Sequence, residues 1–171
     1  LAFDTVAKQW KQYLKGTTFF TLAIENDYLV AGSGSKIILF NTKTFHSSDV
    51  SITGMPDDFK KGTIRKIYID NISNIWAGDQ EGNVYCKMAS NTSFSWMGNI
   101  NGSKPSTTNY PIYCFLADDD NVWIGSDVLG LLKANFVEPL FKKYPDASVK
   151  QHQPESLFIY SIFEDEDDKV W

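Results

Sequence analysis

At 171 residues the chain is long enough to bury a sizeable core as one ordinary domain. A hydrophobic share of 43% and a charged share of 22% are those of a globular chain, and a net charge of −5 without a basic stripe argues against non-specific nucleic-acid binding. The aromatic share, 15%, is high and carries no helical periodicity, which favours strands. No stretch approaches the ~20 apolar residues of a membrane helix.

Residues 6–14 (VAKQWKQYL) alternate around Trp10 and are predicted as a strand that finishes a unit begun before Leu1. From 17 to 62 the chain reads as strands Phe19–Ile24, Tyr28–Ala31, Lys36–Asn41 and Phe45–Ile52, with turns at Glu25–Asp27, Gly32–Ser35 and Thr42–Thr44. From 63 to 110 the strands are Ile64–Ile69, Asn74–Ala77, Asn83–Met88 and Ser93–Met97, followed by an Asn- and Ser-rich loop. From 111 to 157 they are Ile112–Ala117, Val122–Gly125, Leu131–Ala134 and Leu140–Tyr144, then a polar linker from Pro145 to Pro154. A last unit, 158–171, holds Phe158–Glu164 and Val170–Trp171. With no initiator Met and an end in mid-motif, we expect a segment of a longer protein.

The units repeat one phrase. Ile64 to Gly82 (IRKIYIDNISNIWAGDQEG) recurs as Ile112 to Gly130 (IYCFLADDDNVWIGSDVLG) and begins again at Ile159 (IYSIFEDEDDKVW). Trp76, Trp123 and Trp171 hold one position, and Val30 takes it in a weaker upstream copy. Four short strands per unit with glycine at fixed offsets is the pattern of a β-propeller blade, a small antiparallel sheet covered on both faces by its neighbours. Both faces of the second strand are then buried, with Trp between blades. Gly78 and Gly125 allow close backbone approach, and Gly82 and Gly130 supply a positive φ before strand three.

These residues resemble the two-component regulator propeller repeat of hybrid two-component sensors. Asp118, Val122, Trp123, Ile124, Gly125, Gly130 and Leu131 fit its opening, Phe141–Tyr144 its closing strand, and Gln153–Leu157 its linker. The second unit departs at Ala77 and Asp79 and has one extra residue between Asp70 and Trp76; the first lacks both Trp and the strand-one Asp. The resemblance implies an all-β, incomplete ring of about three and a half blades. It also implies a periplasmic, non-catalytic sensor segment of an inner-membrane histidine kinase that responds to an oligosaccharide, with no cofactor.

Few residues suggest chemistry. His46 and His152 have no ligand or base at useful spacing, and Gly32-Ser33-Gly34 precedes a strand rather than the helix of a phosphate loop. The acidic runs Asp118–Asp120 and Glu164–Asp168 read as solvated hairpin turns rather than calcium sites. The Asn-X-Ser/Thr triplets at Asn71, Asn91 and Asn101 are expected by chance. Cys86 and Cys114 lie in strands of successive units; a bridge is geometrically possible, and free buried thiols are the simpler reading. An enzyme would need a convergent acid–base pair that is not apparent. Propeller geometry puts ligands on the face where loops enter strand one and join strands two and three, which carries Arg65, Asp79, Gln80, Glu81, Tyr110 and Asp127. Of these Arg65, Asp79, Tyr110 and Asp127 are the candidate ligand-binding residues. The competing reading is an interaction or dimerisation scaffold without a small ligand, and either reading leads us to expect self-association or contact with further blades.

Overall fold

A computed structural model describes residues 2–102, 104–118, 121–135, 142–144, 159–163, 165 and 169. Every regular element among them is a strand. A hairpin of β1 (Ala2–Asp4) and β2 (Gln9–Lys11) precedes three larger sheets. The first sheet runs β3 (Thr21–Glu25), β4 (Tyr28–Ser33), β5 (Lys36–Asn41) and β6 (Ser47–Val50) in chain order. The second has β8 (Ile64–Ile69), β9 (Ile75–Asp79), β10 (Asn83–Lys87) and β11 (Phe94–Asn99), with β7 (Ile52–Thr53) added at its outer edge. The third is β12 (Ile112–Ala117), β13 (Asn121–Ser126), β14 (Gly130–Asn135) and β15 (Lys142–Tyr144).

Period-two alternation distributes side chains between two cores. On β9, Ile75 and Ala77 face the first sheet and join Val30, Ile37, Ile64 and Ile67, while Trp76 faces the third sheet and joins Ile112, Phe115 and Ile124. On β10, Tyr85 goes to the first core, Val84 and Cys86 to the second. The middle sheet therefore has no solvent face along β9, all five residues of which are buried.

One contact repeats at each junction. A Cβ on Gly32 would lie 2.7 Å from Ile64 Cγ2, one on Gly78 2.5 Å from Ile112 Cγ2, and one on Gly125 2.6 Å from Ile159 Cγ2. Each strand-two glycine is thus a socket for the isoleucine that starts the next unit, and no larger residue fits. Gly82 and Gly130 turn into strand three with φ of 84° and 72°, the left-handed region expected of them.

Three expectations change. Residues 6–14 are not one strand: a turn over 5–8 folds the segment so that Trp10 pairs with Phe3 in the hairpin. Phe45–Ile52 is also divided. Asn41 Oδ1 accepts the Lys43 and Thr44 N–H groups at 2.9 and 2.8 Å, holding Phe45 at a φ of 62° and delaying the strand to Ser47. Beyond Val50 the chain leaves its sheet, and Ile52 and Thr53 pair in parallel with Phe94 and Ser95 of the next.

The acidic turns are the third change. Asp70 is 7% exposed, and its carboxylate accepts Asn74 N at 2.8 Å, Asn74 Nδ2 at 3.0 Å and the Trp76 indole N–H at 3.1 Å. Asp118 does the same for Asn121 and for Trp123, whose Nε1 is 3.0 Å away. These acids are acceptors that lock the turn to the tryptophan rather than solvated charges. Asp165 Oδ1 likewise accepts Lys169 N at 3.0 Å. Asp119, Asp120, Glu164, 166–168, the linker 145–154, His152, 170 and Trp171 lie outside the described residues; the strand expected at Leu140–Tyr144 appears as β15 over Lys142–Tyr144, and residues 159–163 of the one expected at Phe158–Glu164 form no strand. Cys86 and Cys114 are free thiols, not a bridge.

Candidate functional site

The start of each first strand and the turn after each second strand are neighbours. Ile64 pairs with Asp79, and Ile112 with Ser126. In the second sheet that junction holds Arg65, whose Nη2 donates to Gln80 Oε1 at 2.6 Å and whose guanidinium lies over the Phe20 ring, 5.0 Å from its centroid. Gln80 is itself held, its N–H donating to Thr63 O at 2.9 Å. Arg65 Nε is buried and meets no acceptor.

Asp79 is fully buried beneath this corner. Oδ1 accepts Glu81 N and Asn83 N at 2.9 Å; Oδ2 accepts Gly62 N, Asn83 Nδ2 and the Tyr85 hydroxyl at 2.8 Å each. Burial and the adjacent Asp79 carboxylate push the Tyr85 phenol far above its ordinary range. Asn83 extends the network, accepting from Trp96 Nε1 at 3.2 Å and Asn99 Nδ2 at 3.1 Å. Asp79 therefore offers a ligand the position of the Gln80–Gly82 turn rather than an open oxygen.

Tyr110 lies on the other side of that turn, where a Cβ on Gly82 would be 3.3 Å from Tyr110 Cβ. Asp127 sits in the corresponding turn of the third sheet. Its N–H donates to Pro111 O at 3.1 Å, and its Oδ1 is buried with no donor. The structure thus gathers Arg65 with Gln80 and Phe20, and Asp127 with Pro111, with the Gly82 turn touching Tyr110 between the two groups. Among the described residues no group of three or more His, Cys, Asp or Glu could hold a metal ion, and His46 is an exposed residue whose carbonyl accepts Asn41 N at 2.8 Å.

Sequence reasoning missed Phe20, Tyr113 and Tyr160. Counting back from Gly32, Gly78 and Gly125 would have found the first two, because Thr21 pairs with Gly32, Lys66 with Gly78 and Cys114 with Gly125. Phe20, Arg65 and Tyr113 each precede that pair, and Tyr160 follows the socketed Ile159 as Tyr113 follows Ile112.

Stacked sheets, each with four antiparallel strands, define an all-β class, and solved structures share it. The extracellular domain of a B. thetaiotaomicron protein named as the hybrid two component system BT4673 superposes with a TM-score of 0.67 at 18% identity, over 95% of this chain and 21% of that one. The corresponding domain of BT3049, from the same organism, gives 0.66 at 16% identity, over 98% and 21%. The computationally designed Ika4 protein gives 0.57 at 13% identity, over 91% of each chain. The chain spans about a fifth of the length of those two extracellular domains. At these identities the likeness is one of fold. No protein-family model and no curated protein matches the sequence.

Proposed function

We propose that the chain is a run of β-propeller blades, with units at 17–62, 63–110 and 111–157, from the periplasmic sensor part of a two-component receptor. It is non-catalytic and recognises an oligosaccharide at the corner where strand one starts and strands two and three join. Arg65, Tyr110 and Asp127 contact the ligand, and Asp79 holds the turn between them. The observation that carries this reading is the superposition of nearly the whole chain on extracellular domains named as parts of two-component systems. Among the described residues the buried side-chain polar atoms without partners are Arg65 Nε and Asp127 Oδ1, each at this corner of its own sheet, which supports a ligand there.

A second reading, an interaction scaffold, is favoured by Leu22 and Ile24, 56% and 69% exposed on one face of β3. A thermal-shift screen against plant and host oligosaccharides separates the two. Ligand bound only to the folded state adds ~2.7 kcal/mol at a hundredfold excess over its dissociation constant, so a concentration-dependent rise with one glycan family is expected. A flat response to the whole panel would leave the scaffold.

A further inference from the structure

We propose that Phe20, Arg65, Tyr113 and Tyr160 form one ligand rail, and that its ligand is an oligosaccharide bearing carboxylates, an oligomer of uronic acids. This rests on the oligosaccharide reading above and narrows it. The four residues occupy the same place in four successive units. In the second and third sheets that place is a β-bulge: the strand-one register shifts between Ile64 and Lys66 and again between Ile112 and Cys114, leaving Arg65 and Tyr113 as the extra residues. A bulge re-aims a side chain without disturbing the rest of the ladder. Ile64 and Ile112, one position earlier, are fully buried, while Arg65 and Tyr113 are half-buried and Phe20 and Tyr160, at the two ends of the row, are 48% and 68% exposed.

The row consists of two touching pairs on successive sheets. β3 packs on β8 and β8 on β12, so equivalent positions stand side by side. Arg65 lies over Phe20, and the Tyr113 and Tyr160 rings are 5.2 Å apart and tilted by 44°. Aromatic faces in a row suit the C–H faces of successive pyranose rings. Arg65 is the one cation of the row. Its guanidinium has five N–H donors; one goes to Gln80 and Nε has no acceptor, so a carboxylate is the group that suits it. Asp127 stands to Tyr113 as Gln80 stands to Arg65, each being the residue after the strand-two partner of the socketed isoleucine. Its Oδ1 is buried without a donor.

The test is calorimetric titration with oligomers of galacturonic, mannuronic and glucuronic acid, each paired with its uncharged methyl ester. At least one acid is expected to bind about tenfold or more tightly than its ester. Added salt should weaken that preference. Arg65→Gln should abolish the preference for acid over ester, Arg65→Lys should retain part of it, and Tyr113→Ala should weaken acid and ester together. Unchanged melting temperatures keep each variant interpretable. Equal binding of acid and ester, or a preference that survives Arg65→Gln, overturns the acidic ligand and leaves the oligosaccharide reading standing. Failure of all three acids while a neutral glycan shifts melting overturns it too. Failure of every oligosaccharide removes both.

Discussion

Asp70 and Asp79 show what a carboxylate does when a turn closes over it. Both are buried; Asp70 is held by N–H donors from the next six residues, and Asp79 by N–H donors and the Tyr85 hydroxyl from its next six together with the Gly62 N–H, so their charge is delocalised over fixed dipoles rather than solvated. Neighbouring groups bear the consequence. Burial, with Asp70 nearby, pushes the Cys86 thiol from 9.0 to about 12, and burial pushes Cys114 up to about 11. Tyr85 moves the same way. In each case the native state keeps the proton that the unfolded chain releases first, so unfolding gains favour as pH rises. The stabilisation is complete below about pH 9 and is lost as pH climbs through the folded values near 11 and 12. Urea unfolding at intervals from pH 8 to pH 11 should show stability falling above about pH 9, with a shallower fall in Tyr85→Phe above about pH 10. Constant stability across that span would refute the assignment.

Between sheets the recurring element is the isoleucine in a glycine socket. At the Gly78 junction a methyl group would overlap Ile112 Cγ2 at 2.5 Å and Phe115 Cζ at 3.0 Å. Neither neighbour is free to move, because Ile112 and Phe115 belong to the second core. Gly78→Ala is expected to cost ~1–3 kcal/mol by overpacking, and Ile112→Ala ~2–5 kcal/mol by leaving a cavity. The added methyl partly fills the space that Ile112→Ala vacates, so the double variant should cost less than the sum of the singles. A double-mutant cycle from denaturant melts reads the coupling, and strict additivity would mean that the two residues do not share one site.

At the scale of the molecule, each sheet presents its strand-one face to the sheet before it. Ile67 and Phe115 on that face are 3% exposed because a preceding sheet covers them. In the first sheet, counting from the Gly32 pair, the corresponding residue is Leu22, and with Ile24 it stays open. An apolar sheet face of this kind calls for a cover. Sedimentation of the isolated chain should show concentration-dependent association that Leu22→Glu with Ile24→Lys reduces. A species that stays monomeric at high concentration, with or without the pair of substitutions, would show that this face needs no partner.

Much of this was legible in the chain itself. Alternation of apolar residues, the recurring Trp and Gly, and the spacing of the units specify twelve-odd strands and their order, because a strand's faces and turns are set by neighbours a few residues away. The candidate corner with Arg65, Asp79, Tyr110 and Asp127 came from that same periodicity. What the sequence could not decide depends on residues far apart along the chain. Asp118 read as part of a solvated turn until its donors were seen to converge, and Ile52 read as the end of one strand until Phe94 drew it to the next sheet. The bulges that turn Arg65 and Tyr113 out of the ladder were equally hidden, since a register shift exists only between two paired strands. Local pattern sets the elements; which carboxylate is buried, and which side chain is left facing outward, is settled only when the sheets meet.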